Sequence, residues 1–191
     1  MEITDVTISR KKPIYPVGPG LMKYLRIYQR DGKLPIGYKD LLNFQETVPV
    51  MDKFGNDTHW ESPLYPPYMQ EQLYDGLKVI YANLKASGNT RIVAHKIIDR
   101  IEFCAFGNTK PFRIRIINRL NDVYDYFYVK QADASRIYGL ELEEILSPNQ
   151  VNYIVDRDTL VEEHIVGIPG DVFSKERMHT PDYNRTRIAK E

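Results

Sequence analysis

Cysteine is almost missing from this chain: Cys104 is the only one in 191 residues. One thiol cannot form a disulfide within its own chain, so the frameworks of small secreted domains and zinc sites built on paired cysteines are both excluded. The four histidines, His59, His95, His164 and His179, are scattered and lack the paired spacing a metal site needs. Long apolar runs are absent too. The N-terminal MEITDVTISRKK alternates polar and apolar residues, which suits neither a signal peptide nor a membrane anchor. The expectation is a cytoplasmic protein with no membrane partner. Net charge is also lacking: 26 Lys and Arg balance 26 Asp and Glu, so no global field draws the chain to nucleic acid. Neither a Gly-x-Ser-x-Gly elbow nor a Walker phosphate loop occurs.

What is there reads as a folded protein. Hydrophobic residues make up 42% and charged residues 27%, a balance that argues against disorder. Tyrosine is abundant, with 14 residues, several beside prolines as in Tyr65-Pro66-Pro67-Tyr68. A residue preceding proline is pushed to extended backbone, so such segments either pack over a core edge or meet a protein partner.

Residues 1–19 read as an irregular arm. Leu21, Leu25 and Tyr28 recur at helical spacing over 20–30, and 39–44 adds another helical turn. Residues 47–68 read as loop, punctuated by Pro49, Gly55, Pro63 and Pro66-Pro67, with Trp60 as an anchor. A helix is predicted over 67–87, where Leu73, Leu77, Ile80, Tyr81 and Leu84 form one stripe before Gly88. Strands are predicted over 91–94, 97–106, 112–116 and 123–130, then a helix over 132–146 and strands over 150–155 and 159–166. From residue 98 the order is β-β-β-α-β-β. Cys104 falls inside an apolar strand and reads as a small buried hydrophobe.

Three features within that order carry a resemblance. Tyr128-Val129-Lys130 ends the third strand. Glu141 lies on the flank of a helical face formed by Tyr138, Leu142, Ile145 and Leu146, which is expected to cover the sheet. A carboxylate on a buried flank needs a partner, and Lys130 on the strand beneath is the natural candidate. Finally, Thr159 to Gly170 reads TLVEEHIVGIPG, a strand running into glycines. Together these resemble the N-terminal lobe of protein-kinase-like and aminoglycoside-phosphotransferase-like folds, over about residues 98–170.

The resemblance implies a fold, a cofactor and a site. The fold class is α+β: a five-stranded antiparallel sheet with one helix between strands 3 and 4, preceded by a mainly helical N-terminal extension. The cofactor would be ATP. Lys130 would hold its phosphates and Glu141 would orient Lys130. The backbone of Glu163, His164 and Ile165 would read adenine. The phosphate loop would be 106–110, whose one glycine is Gly107 and whose tip carries Lys110. Tyr128 shares a face with Lys130, where the family places a small residue, so it either fills the nucleotide pocket or stacks there.

No catalytic or metal-binding residue of that family falls within this sequence. Only 21 residues follow Gly170, and none matches the aspartate–asparagine pair or the metal aspartate. The expected organisation is therefore an extension over 1–90, a small lobe over 91–170, and the start of a C-terminal lobe over 171–191. A helix over 184–190 would run to the last residue of a truncated chain. Transfer chemistry and Mg²⁺ would come with the missing lobe, leaving this chain inactive by itself. The alternative is a complete, non-catalytic α+β module that binds a protein partner through the sheet or through residues 60–68.

Overall fold

A computed structural model describes residues 12–168 with Val172, Phe173 and Lys175, the side chains of Thr90 and Ile92 excepted. The helix predicted over 184–190, and all of 171–191 except those three residues, lie outside the described residues, as do residues 1–11.

The chain is α+β. Among the described residues four α-helices, α1 (Pro19–Ile27), α2 (Tyr38–Leu41), α3 (Pro67–Ala86) and α4 (Ala134–Leu146), accompany seven strands. These are β1 (Glu46–Met51), β2 (Asp57–Leu64), β3 (Lys96–Phe103), β4 (Phe112–Asn118), β5 (Tyr124–Gln131), β6 (Tyr153–Asp156) and β7 (Thr159–Glu163). They form one antiparallel sheet in the order β1-β2-β3-β4-β5-β7-β6. Among the described residues no helix is long and apolar enough to cross a membrane.

The sheet thus has seven strands where the sequence predicts five. The extra pair, β1 and β2, is the stretch read as loop, so the N-terminal part adds a hairpin to its helices. Its prolines do not break it. Pro49 sits on β1, the sheet edge, where a missing N–H costs no ladder bond. Gly55 supplies positive φ in the connecting turn, and Asp52 accepts from the N–H groups of Phe54 and Asn56. The strand predicted over 91–94 is not formed: Thr90–Val93 make a 3-10 turn, where Asn89 accepts from the Arg91 N–H.

Alternation decides which side chains face where. Phe112, Ile114 and Ile116 on β4, Phe127 and Val129 on β5, and Val161 on β7 all point to the face covered by α3. A bulge between Ile98 and Arg100 keeps Ile98, Ile101 and Phe103 on that same face. The stripe on α3 closes this core, and Gly76 lets Ile36 lie directly against the helix. A second, smaller core forms on the opposite face at the β6–β7 end. There Ile137 and Leu140 of α4 meet Leu21 and Leu25 of α1 and Tyr153, Val155 and Leu160 of the strands. Between this second core and β2, the same face carries polar and aromatic side chains.

Candidate functional site

That polar face is where Lys130 lies. Asp133 caps α4 by accepting from the Ser135 N–H at 3.0 Å, which fixes the helix start close to the end of β5. Lys130 bonds to Glu162 on β7. Arg136, from the first turn of α4, makes two further bonds to the Glu162 carboxylate, at 3.0 and 3.1 Å. Glu162 is only 3% exposed. Burial opposes its charge, yet Lys130 and Arg136 outweigh that and hold its pKa below the usual glutamate value. For Lys130, burial pushes the ammonium below the usual lysine value despite Glu162.

A row of aromatic rings continues the face. The Lys130 ammonium lies 5.1 Å from the Tyr128 ring centre, and the Tyr128 hydroxyl sits 3.1 Å from His164 Nδ1. The His164 ring stands 5.8 Å from both Tyr126 and Tyr128. On β4, Arg113 is 4.2 Å from the Trp60 ring and donates to the buried Glu102 at 2.6 Å. Arg115 lies 4.2 Å from Tyr124. Each cation thus rests on an aromatic face, an arrangement worth more once water is excluded.

Beside Lys130 a cavity of about 280 Å³ opens. Its walls are Lys12, Asn108, Thr109, Lys130, Asp133, Ser135, Arg136 and Gly139. Three cations and several hydrogen-bond donors converge there. The one carboxylate, Asp133, is turned to the Ser135 hydroxyl and the Tyr15 and Ser135 N–H groups. Such a donor set suits an anion. The 107–111 turn and Lys130 therefore share a wall, because β4 and β5 are adjacent and Phe112 pairs with Val129.

Other predicted residues go elsewhere. The pairing expected between Lys130 and Glu141 is not made. Glu141 accepts from Tyr153, from Tyr24 at 2.6 Å and from Arg30 at 2.9 Å. The reason is the roll of α4. The side buried against α1 and the sheet is that of Ile137, Leu140 and Glu141, while Tyr138, Leu142, Ile145 and Leu146, predicted to cover the sheet, are exposed. Burial opposes the Glu141 charge, but the Tyr153 and Tyr24 hydroxyls and Arg30 hold its pKa down. The Tyr24 hydroxyl is correspondingly pushed up to about 12, first by its bond to Glu141.

The Glu163 side chain points to the α3 side, bonding Lys85 at 2.5 Å, and its N–H donates to Asn152 at 3.0 Å. Ile165 is exposed beyond the strand end. Gly107 is required by local packing, since a Cβ there would lie 2.7 Å from Pro111 Cδ. Lys110 is exposed at positive φ, and its carbonyl accepts from Tyr38 at 3.1 Å. Cys104 is half-buried, one residue past the end of β3. Residues 60–68 are mostly β2 and the start of α3. Tyr65 is tied to the Leu41 carbonyl at 2.6 Å, and Tyr68 alone of its tyrosines is exposed.

Glu162, which holds Lys130, and Arg136, which shares that carboxylate, have no sequence motif. The only available signal is alternation, which puts Glu162 and Glu163 on opposite faces of one strand. No family model matches the chain, and no curated protein or solved structure matches it either.

Proposed function

We propose that the polar face of the sheet binds a nucleotide, ATP by its resemblance, as the small lobe of a kinase-like phosphotransferase. One observation carries the reading: Lys130 and the Asn108–Thr109 turn line the same cation-rich cavity. Lys130, Arg136 and Lys12 would hold the phosphates. The aromatic surface of Tyr126, Tyr128 and His164 would take the base, with Tyr128 stacking on it. The strand lysine keeps a buried carboxylate partner, which here is Glu162 in place of Glu141. The adenine-reading backbone would be that of His164 and Ile165, since the Glu163 N–H is spent on Asn152. Transfer chemistry, with its Mg²⁺, would fall to a C-terminal lobe, so the reading for these residues is binding.

Trp60, the only tryptophan, lies on this face and can report occupancy. ATP, ADP, adenosine and inorganic phosphate are titrated into the full chain, following Trp60 fluorescence and heat of binding. ATP should bind more tightly than adenosine, and Arg136→Gln should weaken ATP by roughly 10-fold or more, the worth of a charged hydrogen bond. No binding at millimolar ATP, or binding that neither Lys130→Met nor Arg136→Gln affects, would sink the reading.

A second reading, a non-catalytic module for a protein partner, draws on another surface: the apolar side chains that α4 leaves exposed.

A further inference from the structure

Helix α4 has two apolar faces and buries only one. Ile137 and Leu140 face the core, while Tyr138, Leu142, Ile145 and Leu146 are 61%, 56%, 73% and 73% exposed. Their spacing of i, i+4, i+7 and i+8 makes one continuous stripe. Contiguous exposed apolar surface of this kind marks an association site. We infer that the occupant is the same stripe of a second copy, packed antiparallel about a two-fold axis through Leu142.

Three features favour a second copy. The first is Gly139, which borders the stripe at mid-helix. It is exposed, and a Cβ there would meet nothing within 4 Å. A mid-helix glycine weakens a helix, and no close contact among the described residues requires it. In an antiparallel pair centred on Leu142, position 139 opposes 145 and position 138 opposes 146. The large Ile145 of each copy then seats over the small Gly139 of the other, allowing close approach of the axes.

The second feature is charge. The last turn of α4 carries no basic residue to offset its carbonyl ends, and the exposed Glu143 adds negative charge nearby. At the other end Lys12, exposed, donates to Ser135 at 2.6 Å. Antiparallel pairing brings the Lys12 end of each copy beside the acidic end of its partner, twice over, as an isologous interface requires. The third is extent. A 13-residue helix spans roughly 20 Å, which is short for a stable interface. Exposed Ile27 at the end of α1 and Tyr28 just after it widen the patch: the Tyr28 ring lies tilted 4.5 Å from that of Tyr24, and Tyr24 bonds Glu141 of α4. The dimer should be small and form at roughly micromolar concentration. It borders the proposed phosphate cavity through Lys12 and Gly139 but involves neither Lys130 nor Arg136, and Leu142 is not in the cavity wall, so Leu142→Glu tests the dimer separately from nucleotide binding.

Sedimentation equilibrium of the full chain across the micromolar range tests this. The mass should rise from 22.3 kDa towards twice that value. Leu142→Glu should hold it at the monomer mass without lowering the unfolding midpoint measured on dilute protein. In a Cys104→Ser background, Leu142→Cys should give disulfide-linked dimers on mild oxidation, since position 142 meets its own copy on the axis. Phe54→Cys, at the β1–β2 turn, should not. A dimer indifferent to Leu142→Glu overturns the assignment, and so does a monomer at every concentration. In that monomer, slow maleimide reaction of the Leu142→Cys thiol would show the stripe covered by the chain itself. Fast reaction would leave it for a different protein.

Discussion

Lys130 reaches diagonally across the β5–β7 ladder to Glu162, whose own cross-strand neighbour is Tyr128. Diagonal neighbours stand within reach of a long side chain on an antiparallel sheet. The carboxylate is the hub of this pair, because Arg136 also bonds it, whereas Lys130 has no second carboxylate among its described partners.

That asymmetry predicts unequal mutational costs. Glu162→Gln strands two cations, one of them largely buried, and should cost roughly 3 kcal/mol or more, the scale of a broken buried pair. Lys130→Met leaves Glu162 with Arg136 and should cost less, about 1–2 kcal/mol. Urea unfolding of the two variants checks the order. Equal losses would mean that Arg136 contributes nothing.

Stability should depend on pH through the depressed carboxylates. Glu141 and Glu162 have folded pKa values below their ordinary 4.5. Between the two values the unfolded chain binds more protons, so stability rises with pH there. Their contribution is present above about pH 4.5 and is lost as pH falls through the folded values. Glu141→Gln should flatten this acid limb, as read from urea midpoints between pH 3 and 7. Tyr24, raised to about 12, acts at the other end: its contribution is present below pH 10 and fades as pH rises towards 12.

The stacking role given to Tyr128 makes an opposed pair of outcomes measurable. If it stacks on a base, Tyr128→Ala should weaken ATP by about 10-fold, since a base–aromatic stack is worth about 1–3 kcal/mol. Tyr128→Phe, which loses only the bond to His164, should bind ATP within a few-fold of the parent. Tighter binding by Tyr128→Ala would mean that the ring fills the pocket and keeps the base out.

Two glycines in helices should respond with opposite signs to the same change. At Gly76 an added Cβ would overlap Ile36 Cγ1, the stiff branch of a β-branched side chain. Gly76→Ala should therefore destabilise by about 1–3 kcal/mol, the cost of overpacking. Gly139→Ala meets nothing and should stabilise by about 0.5–1 kcal/mol, the ordinary helix-propensity gain. The second measurement belongs in a Leu142→Glu background, where the helix is tested as a monomer.

The helices over 67–87 and 132–146, the strands around Phe112–Ile116 and Val123–Lys130, and the turn at Asp156–Asp158 were legible because each has a period or a breaker of its own. The β1–β2 hairpin was not. Pro49 and Gly55-Asn56-Asp57 read as loop until it is known that β1 is an edge, where proline is harmless and the glycine closes a turn. Lys130 on the polar side of its strand was likewise legible from alternation. Its partner was not, because which strand lies beside β5 is a matter of topology.

α4 shows the division most clearly. Its 3.6-residue period alone identifies a helix and sorts its side chains into faces: Tyr138, Leu142, Ile145 and Leu146 on one, Ile137, Leu140 and Glu141 on another. Which face turns inward is a choice between two apolar stripes, and the intrinsic pattern favours the larger one. Tertiary structure decided for the smaller, because α1 and the turn after it bring Leu21, Leu25, Tyr24 and Arg30 to that side. There the apolar pair is sealed and the Glu141 charge is satisfied, while an unpaired carboxylate would have been too costly to bury. Periodicity is a property of the chain near each residue. The partner that makes burial favourable comes from more than a hundred residues away.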